Sequence, residues 1–257
     1  MRNGAPRAKA LKNQKARSGD CLQDQKAARG DGTQDQKAAA RLARYQKILC
    51  PDCPPFLQKY LNLKILERLK GIGLLCGTDW TPLFHNRFYY SRYDHSLNCA
   101  LIVWNWTRDK KLALAALLHD VGKIGIPNEI INKRGKLTPE EYDIVKQHSV
   151  IGAQILSNIT QIPHITDGAY YHHERYDGKG YPTGLDGKKI PEIGRIIAVA
   201  DAYDAMTSNR SYRNQLPQDV ARKEIGQGIG LQFDPDFARI MLRMIDEDKD
   251  FKMREML

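Results

Sequence analysis

The sequence predicts an all-α protein, a helical bundle that follows a basic N-terminal tail. From residue 56 onward apolar residues recur at helical spacings, and two long segments are apolar on nearly every face. No convincing run of alternating apolar and polar residues indicates a β-strand. With 257 residues, of which 42% are hydrophobic, the chain can bury one good-sized core. We therefore predict a tail over residues 1–48 and one globular domain over residues 54–250.

The tail accounts for most of the charge of the chain. Residues 1–47 carry 12 Lys or Arg against 4 Asp, so that +8 of the total net charge of +10 lies there. A Gln-Lys-Ala triplet recurs in it every 11 residues, and large apolar side chains are almost absent. Such a segment cannot bury enough surface to offset its ordering entropy, and we predict that it is disordered. Basic tails attract polyanions but are more often simply solvated, so no specific nucleic-acid partner is expected.

The first helices of the domain are predicted from apolar spacing. Leucines between Leu57 and Leu69, with Tyr60 among them, fit one amphipathic helix ending at Gly71. A second helix is marked by Leu97, Leu101 and Trp104. The segment Leu112–Leu118 is apolar on every face and predicts a fully buried helix.

The later helices carry start signals as well. Thr138-Pro139-Glu140-Glu141 is a capping box with proline at the first helical position, and it predicts a helix through about Asn158. Ile193–Met206 is a second nearly all-apolar helix. Asp234-Pro235 is typical of an N-cap and the first residue of a last helix.

The sequence also indicates a compartment. No stretch reaches the roughly 18 apolar residues of a membrane span, and no apolar segment follows the basic N-terminus as in a secretory signal. We expect a cytoplasmic protein without a membrane partner.

The five cysteines have no disulfide-scaffold spacing, and Cys50 and Cys53 have no second pair for a structural zinc site. Reduced thiols without a metal role are predicted.

Polar residues in apolar helices carry the chemistry. His119 and Asp120 end one buried helix, and Asp201 interrupts the other. A single polar residue at such a position is usually a hydrogen-bonded core residue or a helix cap. Here several such residues would each need that explanation, which favours a shared site. Buried carboxylates are paired or bind a metal, because burying them alone is very costly. Several histidines with carboxylates and no nearby thiol indicate a nitrogen and oxygen ligand set, which suits Mn²⁺, Fe, Co²⁺ or Zn²⁺.

The spacing of these residues resembles a known family. His95, followed by His119-Asp120 and far downstream by Asp201, is similar to the HD superfamily of metal-dependent phosphohydrolases. The part from His119 to Arg213 resembles the HD-GYP family, which hydrolyses cyclic di-GMP. The matching segments are His119–Pro127, Lys146–His148 with Gly152, His172–Pro182 and Val199–Arg213.

The resemblance implies a site and a reaction. Asp120 would bridge two divalent metal ions, Fe or Mn, with Zn, Co and Ni as alternatives. Metal-activated hydroxide would hydrolyse cyclic di-GMP or a related nucleotide to pGpG and/or GMP. Two ions rather than three are predicted, because Ser91 stands where the three-metal members carry Glu. The implied metal ligands are His95, His119, Asp120, His148, His172, His173 and Asp201. The implied catalytic residues are Asp120 and Lys123. The implied substrate-binding residues are Lys123, Gly180, Tyr181, Pro182, Arg210 and Arg213.

The first half of the domain resembles a different branch. Phe56–His119, and Asn86–Ser96 above all, is similar to HD hydrolases of the deoxynucleotide triphosphohydrolase type. Two alternatives therefore stay open beside the phosphodiesterase. One is a nucleotide or dNTP phosphohydrolase with a single ion, and the other is a catalytically inactive HD-GYP-like module that binds a nucleotide or a partner.

Overall fold

A computed structural model describes residues 54–61, 63–70, 91–133, 135–162, 164–208, 215–250 and 253. All of them belong to one compact unit, Tyr45–Leu257. The tail predicted over residues 1–48 lies outside the described residues, as do Cys50 and Cys53.

The described residues form helices joined by short turns. Only isolated bridges, Asp177 to Asp186 and Ile229 to Phe233, occur among them in place of strands, which confirms the all-α prediction. The helices are α1 (Pro55–Leu61), α2 (Lys64–Lys70), α3 (Arg92–Thr107), α4 (Lys110–Leu118), α5 (Asn128–Ile131), α6 (Pro139–Lys146), α7 (His148–Leu156), α8 (Ile165–Tyr171), α9 (Glu192–Thr207), α10 (Gln218–Gln227) and α11 (Pro235–Glu247). Short 3₁₀ turns span Val121–Gly125 and Gly187–Lys189.

Helices α3 and α4 form a hairpin that carries part of the site. Arg108 ends α3 in the left-handed region, with a φ of 54°, and the side chain of Asp109 caps α4. Because the connection is so short, the two helices pack as antiparallel neighbours. The beginning of α3 therefore lies beside the end of α4. The ring centroids of His95 and His119 are 5.3 Å apart as a result.

The prediction of a single helix over Leu57–Leu69 is wrong about its continuity. The structure divides it into α1 and α2, although Leu57, Leu66 and Leu69 are all buried as expected. Nine residues correspond to two and a half turns of an α-helix, at about 3.6 residues per turn. A continuous helix would place Leu57 and Leu66 on opposite faces, and the break lets both reach the core.

The helix predicted from Thr138 to about Asn158 is also divided. The capping box is present as predicted, but α6 ends at Lys146 and α7 begins at His148. The His148 Nδ1 atom lies 2.6 Å from the Val145 carbonyl oxygen, and Ser149 Oγ donates to the Lys146 carbonyl. These side chains compete with the backbone for the last carbonyls of α6, which explains the break.

Helix α9 forms the central buried element. It extends the predicted Ile193–Met206 by one residue at each end, and most of its side chains are buried. The predicted cap of the last helix is confirmed, since the Asp234 side chain accepts hydrogen bonds from the first backbone N–H groups of α11. Among the described residues, no helix has the length and apolar character needed to cross a membrane.

Candidate metal centre

Five segments of the chain converge on one largely buried group of polar side chains. His95 lies in the first turn of α3, and His119 and Asp120 follow the last turn of α4. The other members come from the start of α7, the turn after α8 and the middle of α9: His148, His172, His173 and Asp201. The structure thus brings together all seven side chains that the sequence predicts as ligands.

These side chains form two adjacent clusters. The first cluster consists of His95, Cys99, His119 and Asp201, and the second cluster of Asp120, His148, His172 and His173. In each cluster every member offers one potential ligand atom within 4.8 Å of those of the others. Two ligands of one zinc ion, each about 2.0–2.3 Å from it, are at most about 4.6 Å apart. Each cluster therefore has nearly the size that one ion requires.

Asp120 belongs to the second cluster but also faces the first cluster. Its Oδ2 atom is 3.6 Å from His119 Nε2 and 3.8 Å from His95 Nε2. Its Oδ1 atom is 3.5 Å from His148 Nε2 and 3.7 Å from His172 Nε2. Each oxygen of this one carboxylate thus faces a different cluster, as a bridging ligand requires.

Three histidines share an arrangement that leaves one nitrogen available. Their Nδ1 atoms lie 2.6–2.9 Å from backbone carbonyls of the preceding helical turn, at Ala116 for His119, Val145 for His148 and Ala169 for His172. A carbonyl only accepts, so Nδ1 carries the proton and Nε2 keeps its lone pair. The buried Nε2 of His119 and Oδ1 of Asp120 have no hydrogen-bond partner in the described part of the chain. Orphaned acceptors of this kind fit a bound cation.

His95 is held by a carboxylate that sequence reasoning did not single out. Its Nδ1 atom lies 2.5 Å from Oδ2 of Asp204, which is fully buried on α9. Asn98 donates a hydrogen bond to the other oxygen of Asp204. The Nε2 atom of His95 lies 3.0 Å from Asp201 Oδ1. Asp204 thus fixes the ring so that Nε2 faces the first cluster.

Two cations adjoin the bridging carboxylate. Lys123 Nζ lies 2.5 Å from Asp120 Oδ2, and a guanidinium nitrogen of Arg92 lies 3.1 Å from the same oxygen. Burial raises the pKa of Asp120, but Lys123, His119 and Arg92 lower it more, so it ends well below its usual range. The carboxylate is therefore ionised at neutral pH.

Burial lowers the pKa of His119, His148 and His173 and keeps these three rings neutral. It lowers the pKa of His119 to about 4, and the nearby Asp120 charge offsets only part of this shift. Burial also lowers the pKa of His148, helped by the charge of Lys123, and of His173, helped by the neighbouring histidines. Neutral imidazole is the form that binds metals, so these rings are ready to do so at pH 7.

Cys99 corrects the expectation that no thiol accompanies the ligands. It follows His95 by one helical turn, and its Sγ atom lies 3.8 Å and 3.9 Å from the two ring nitrogens. The side chain is fully buried, and burial raises the pKa of its thiol to about 12. The signal in the sequence was the four-residue spacing from His95, which places both on one helix face.

The loop Gly180-Tyr181-Pro182 borders the second cluster. The Tyr181 ring stacks on His173 with centroids 4.8 Å apart. A Cβ atom on Gly180 would lie 2.3 Å from the Arg175 backbone nitrogen, so only glycine permits this path. Glu174 is buried and accepts hydrogen bonds from the residues that follow Pro182, which fixes the loop. Sequence reasoning gave this carboxylate no role.

Gly122, two residues after Asp120, makes a close backbone contact. A Cβ atom on Gly122 would lie 1.9 Å from the carbonyl oxygen of His148 and 2.4 Å from the backbone nitrogen of Gly152. The turn after Asp120 therefore lies directly against the start of α7.

Of the predicted substrate-binding residues, Arg210 and Arg213 lie outside the described residues.

Comparison with known proteins gives a consistent set of relatives. The sequence pattern of the HD domain matches residues 98–237, just over half of the chain. The chain is 46% identical over 148 residues to a cyclic di-GMP phosphodiesterase of Thermotoga maritima, which covers 56% of this chain and 40% of that protein. It is 44% identical over 135 residues to a cyclic di-GMP phosphodiesterase response regulator of Xanthomonas campestris, which covers 51% and 35%.

One relative has a different substrate in its name. The chain is 39% identical over 137 residues to a 3'3'-cGAMP-specific phosphodiesterase of Vibrio cholerae, covering 52% of this chain and 26% of that protein. The chain thus spans less than half the length of each of these three relatives.

Proposed function

We propose that this chain, which belongs to the HD domain family, hydrolyses a phosphodiester bond of cyclic di-GMP with the help of two divalent metal ions. The products are pGpG and/or GMP. The observation that carries the proposal is the placement of Asp120, whose two oxygens face two separate clusters. The names of the relatives supply the substrate, since those from Thermotoga and Xanthomonas are cyclic di-GMP phosphodiesterases.

The proposed ligands divide between the two ions. His95, His119 and Asp201 would hold the first ion, and His148, His172 and His173 would hold the second ion. Asp120 would offer one oxygen to each ion. Nitrogen and oxygen donors in these numbers suit Fe or Mn, with Zn, Co and Ni as further occupants.

The mechanism assigns separate tasks to the ions and to the protein. When bound, the two ions supply an activated water and neutralise charge on the phosphoryl oxygens. Asp120 fixes the separation of the two clusters, because each of its oxygens serves one of them. Tyr181 covers the His173 side of the second cluster with its ring. Gly180 lets the loop follow the path that this stacking needs.

Lys123 is the proposed proton donor. Its ammonium group lies 2.5 Å from Asp120, and its remaining N–H groups can donate to a phosphate oxygen or to the leaving oxygen of the substrate. Burial, together with the charge of Arg92, lowers the pKa of Lys123, while Asp120 opposes that shift. A lowered pKa eases the transfer of a proton from Nζ to the leaving oxygen.

A second candidate function is hydrolysis of a nucleotide or dNTP with one ion. It is favoured by the first cluster, where His95, His119 and Asp201 lie together with Asp120 Oδ2 and could hold an ion without the second cluster. A metal stoichiometry of one per chain would support this candidate, whereas two per chain supports the phosphodiesterase.

Product analysis tests the proposal. The purified chain, loaded with Mn²⁺ or Fe²⁺, is incubated with cyclic di-GMP, 3'3'-cGAMP and dGTP together, and the products are separated by chromatography. We expect pGpG or GMP to form while dGTP stays intact. Consumption of 3'3'-cGAMP alone would reassign the substrate, and consumption of dGTP alone would favour the triphosphohydrolase. Metal binding without any turnover would favour a binding module.

Two substitutions with a matched control test the residue roles. Asp120→Ala should abolish both metal binding and turnover, and full activity of this variant would refute the site. Lys123→Ala should leave metal binding intact and slow turnover roughly 100- to 10,000-fold, the usual contribution of a proton donor. Lys189→Ala is the control, because Lys189 forms an ion pair with Asp186 at the same three-residue spacing but is exposed to solvent. Its activity should equal that of the wild type.

A further inference from the structure

A thiol lies among the groups that would hold the first ion. Cys99 follows His95 by one turn of α3 and is completely buried. Its Sγ atom belongs to the first cluster, within 4.8 Å of the potential ligand atoms of His119 and Asp201. None of the relatives' names and no part of the family resemblance assigns this residue a role.

The distances bring Cys99 within reach of an ion bound to His95. A tetrahedral zinc ion with bonds of about 2.3 Å to sulfur and about 2.0–2.1 Å to nitrogen would hold those two atoms about 3.6 Å apart. The Sγ atom of Cys99 lies 3.9 Å from His95 Nε2. Since Asp204 engages the Nδ1 atom of His95, Nε2 is the nitrogen that remains for an ion. Sγ is equally close to Nδ1, at 3.8 Å, and therefore lies beside the ring. An ion on Nε2 in the ring plane would hold its sulfur ligand roughly 5 Å from Nδ1, so Sγ has to move toward the Nε2 side by about 1 Å.

The surroundings of Cys99 distinguish it from an ordinary core cysteine. A free cysteine in a core usually packs as a small hydrophobic side chain. Here the neighbours are polar, and the buried Nε2 atom of His119 in the same cluster has no hydrogen-bond partner among the described residues. That orphaned nitrogen marks the position of a cation independently of the cysteine.

We propose that Cys99 is a sulfur ligand of the first ion. This rests on the metal-binding part of the proposed function and on no particular substrate. On binding, a bond forms between sulfur and the ion and the S–H bond breaks, with the proton leaving to solvent water and no change in oxidation state. The first ion then has a sulfur donor, and the second ion has only nitrogen and oxygen donors. Thiolate ligands favour zinc or iron over manganese, so the two positions differ in metal preference.

Spectroscopy of the metal-loaded protein tests the proposal. The full chain, stripped with a chelator, is loaded with Co²⁺, and we expect a sulfur-to-cobalt charge-transfer band in the near ultraviolet. Loaded with Zn²⁺, it should show a scattering shell at about 2.3 Å in X-ray absorption, beyond the nitrogen and oxygen shell at about 2.0–2.1 Å. Absence of both signals from protein that binds the metals would overturn the proposal.

Two variants identify the sulfur. Cys99→Ser should lose the band while still binding cobalt. The matched control replaces the other four cysteines with serine (Cys21, Cys50, Cys53 and Cys76) and keeps Cys99, and it should retain the band in full. A band that survives Cys99→Ser, or that disappears in the four-cysteine variant, would refute the assignment. The control also decides the question if Cys99→Ser does not fold.

These outcomes are separate from those of the product analysis. A cobalt–sulfur band without turnover would support the ligand and contradict the phosphodiesterase. Turnover without the band would support the phosphodiesterase and remove Cys99 from the ligand set.

Discussion

The buried carboxylate of Asp204 offers the sharpest test of how the fold prepares the proposed metal centre. Its two oxygens accept hydrogen bonds from His95 Nδ1 and from the Asn98 side chain. Asp204→Asn keeps the shape of the side chain but replaces one acceptor oxygen with a donor NH₂ group. Whichever way the amide turns, it can accept from only one of the two donors.

The expected loss follows from this geometry. If the NH₂ group faces His95, the ring must carry its proton on Nε2, which then cannot bind an ion. If it faces Asn98, the Asn98 amide must turn over so that its Oδ1 atom, which has no hydrogen-bond partner among the described residues, accepts from it. His95 then donates to a neutral amide oxygen in place of a carboxylate. Removing the partner behind a metal-binding histidine typically weakens metal affinity about 10- to 100-fold, or about 1.4–2.7 kcal/mol. We expect a loss of this size at the first cluster alone.

Calorimetric titration of the chelator-treated protein with Mn²⁺ or Co²⁺ measures the effect. The wild type should show two binding events, and Asp204→Asn should weaken one of them and leave the other unchanged. Asp167→Asn is the matched control, since Asp167 pairs with Nδ1 of His164 at 2.9 Å, but that histidine is exposed at the surface. This control should bind both ions as the wild type does.

Two results would refute this reasoning. Affinities of Asp204→Asn within about twofold of the wild type at both sites would show that the carboxylate does not position His95, against the usual effect of such a partner. An equal loss at both sites would indicate a general disturbance of the fold, and thermal unfolding of the variant would then show a matching loss of stability.

Two further predictions concern stability. Gly122→Ala should lower the free energy of unfolding by at least about 3 kcal/mol in urea titrations, because its methyl group meets the His148 backbone. Gly226→Ala is the control, since no atom lies near its Cβ position, and it should change that free energy by less than about 1 kcal/mol. Similar values for the two variants would contradict the contact at Gly122. In metal-free protein the unfolded chain binds a proton at His119 below pH 6.5, while the folded chain does so only near pH 4. Stability should therefore fall as the pH falls through this window, by about 2 kcal/mol between pH 7 and pH 5 from this group alone, and a flat or rising profile in urea titrations would count against it.

The sequence was most informative where a polar residue interrupts an apolar helix. His119 and Asp120 follow the buried helix α4, and Asp201 lies within α9. Each stands out against its neighbours, because a polar group in a core needs a partner. The local pattern singled out these three residues, and the family resemblance implied that they share one site.

Cys99 and Asp204 were missed because nothing beside them in the sequence is unusual. Cysteine is common in cores, and an aspartate near the end of a helix is commonly a surface residue. Their roles depend on a partner one helical turn away or on another helix. The four-residue spacing of Cys99 from His95 was the local sign, but only the packing of α9 against α3 shows why Asp204 matters.

The helix boundaries that failed have a similar cause. The break before His148 depends on the hydrogen bond from its ring to the Val145 carbonyl oxygen. Helix propensities describe single residues and do not include such a side-chain bond. The break between Leu57 and Leu66 depends on where the core lies, which periodicity alone does not define. Local patterns therefore predicted that helices exist more reliably than where they end.

The distribution of the proposed ligands along the chain has a consequence for the lifetime of the protein. The members of the two clusters come from five segments, with more than one hundred residues between His95 and Asp201. Only a chain that has completed its topology assembles them, so an ion bound there acts as a removable cross-link. At a free concentration one hundred times the dissociation constant, it stabilises the native state by about 2.7 kcal/mol, a large share of the roughly 5–15 kcal/mol that holds a typical domain folded. On the proposed metal binding, the supply of metal would set how long each molecule survives proteolysis as well as how fast it works.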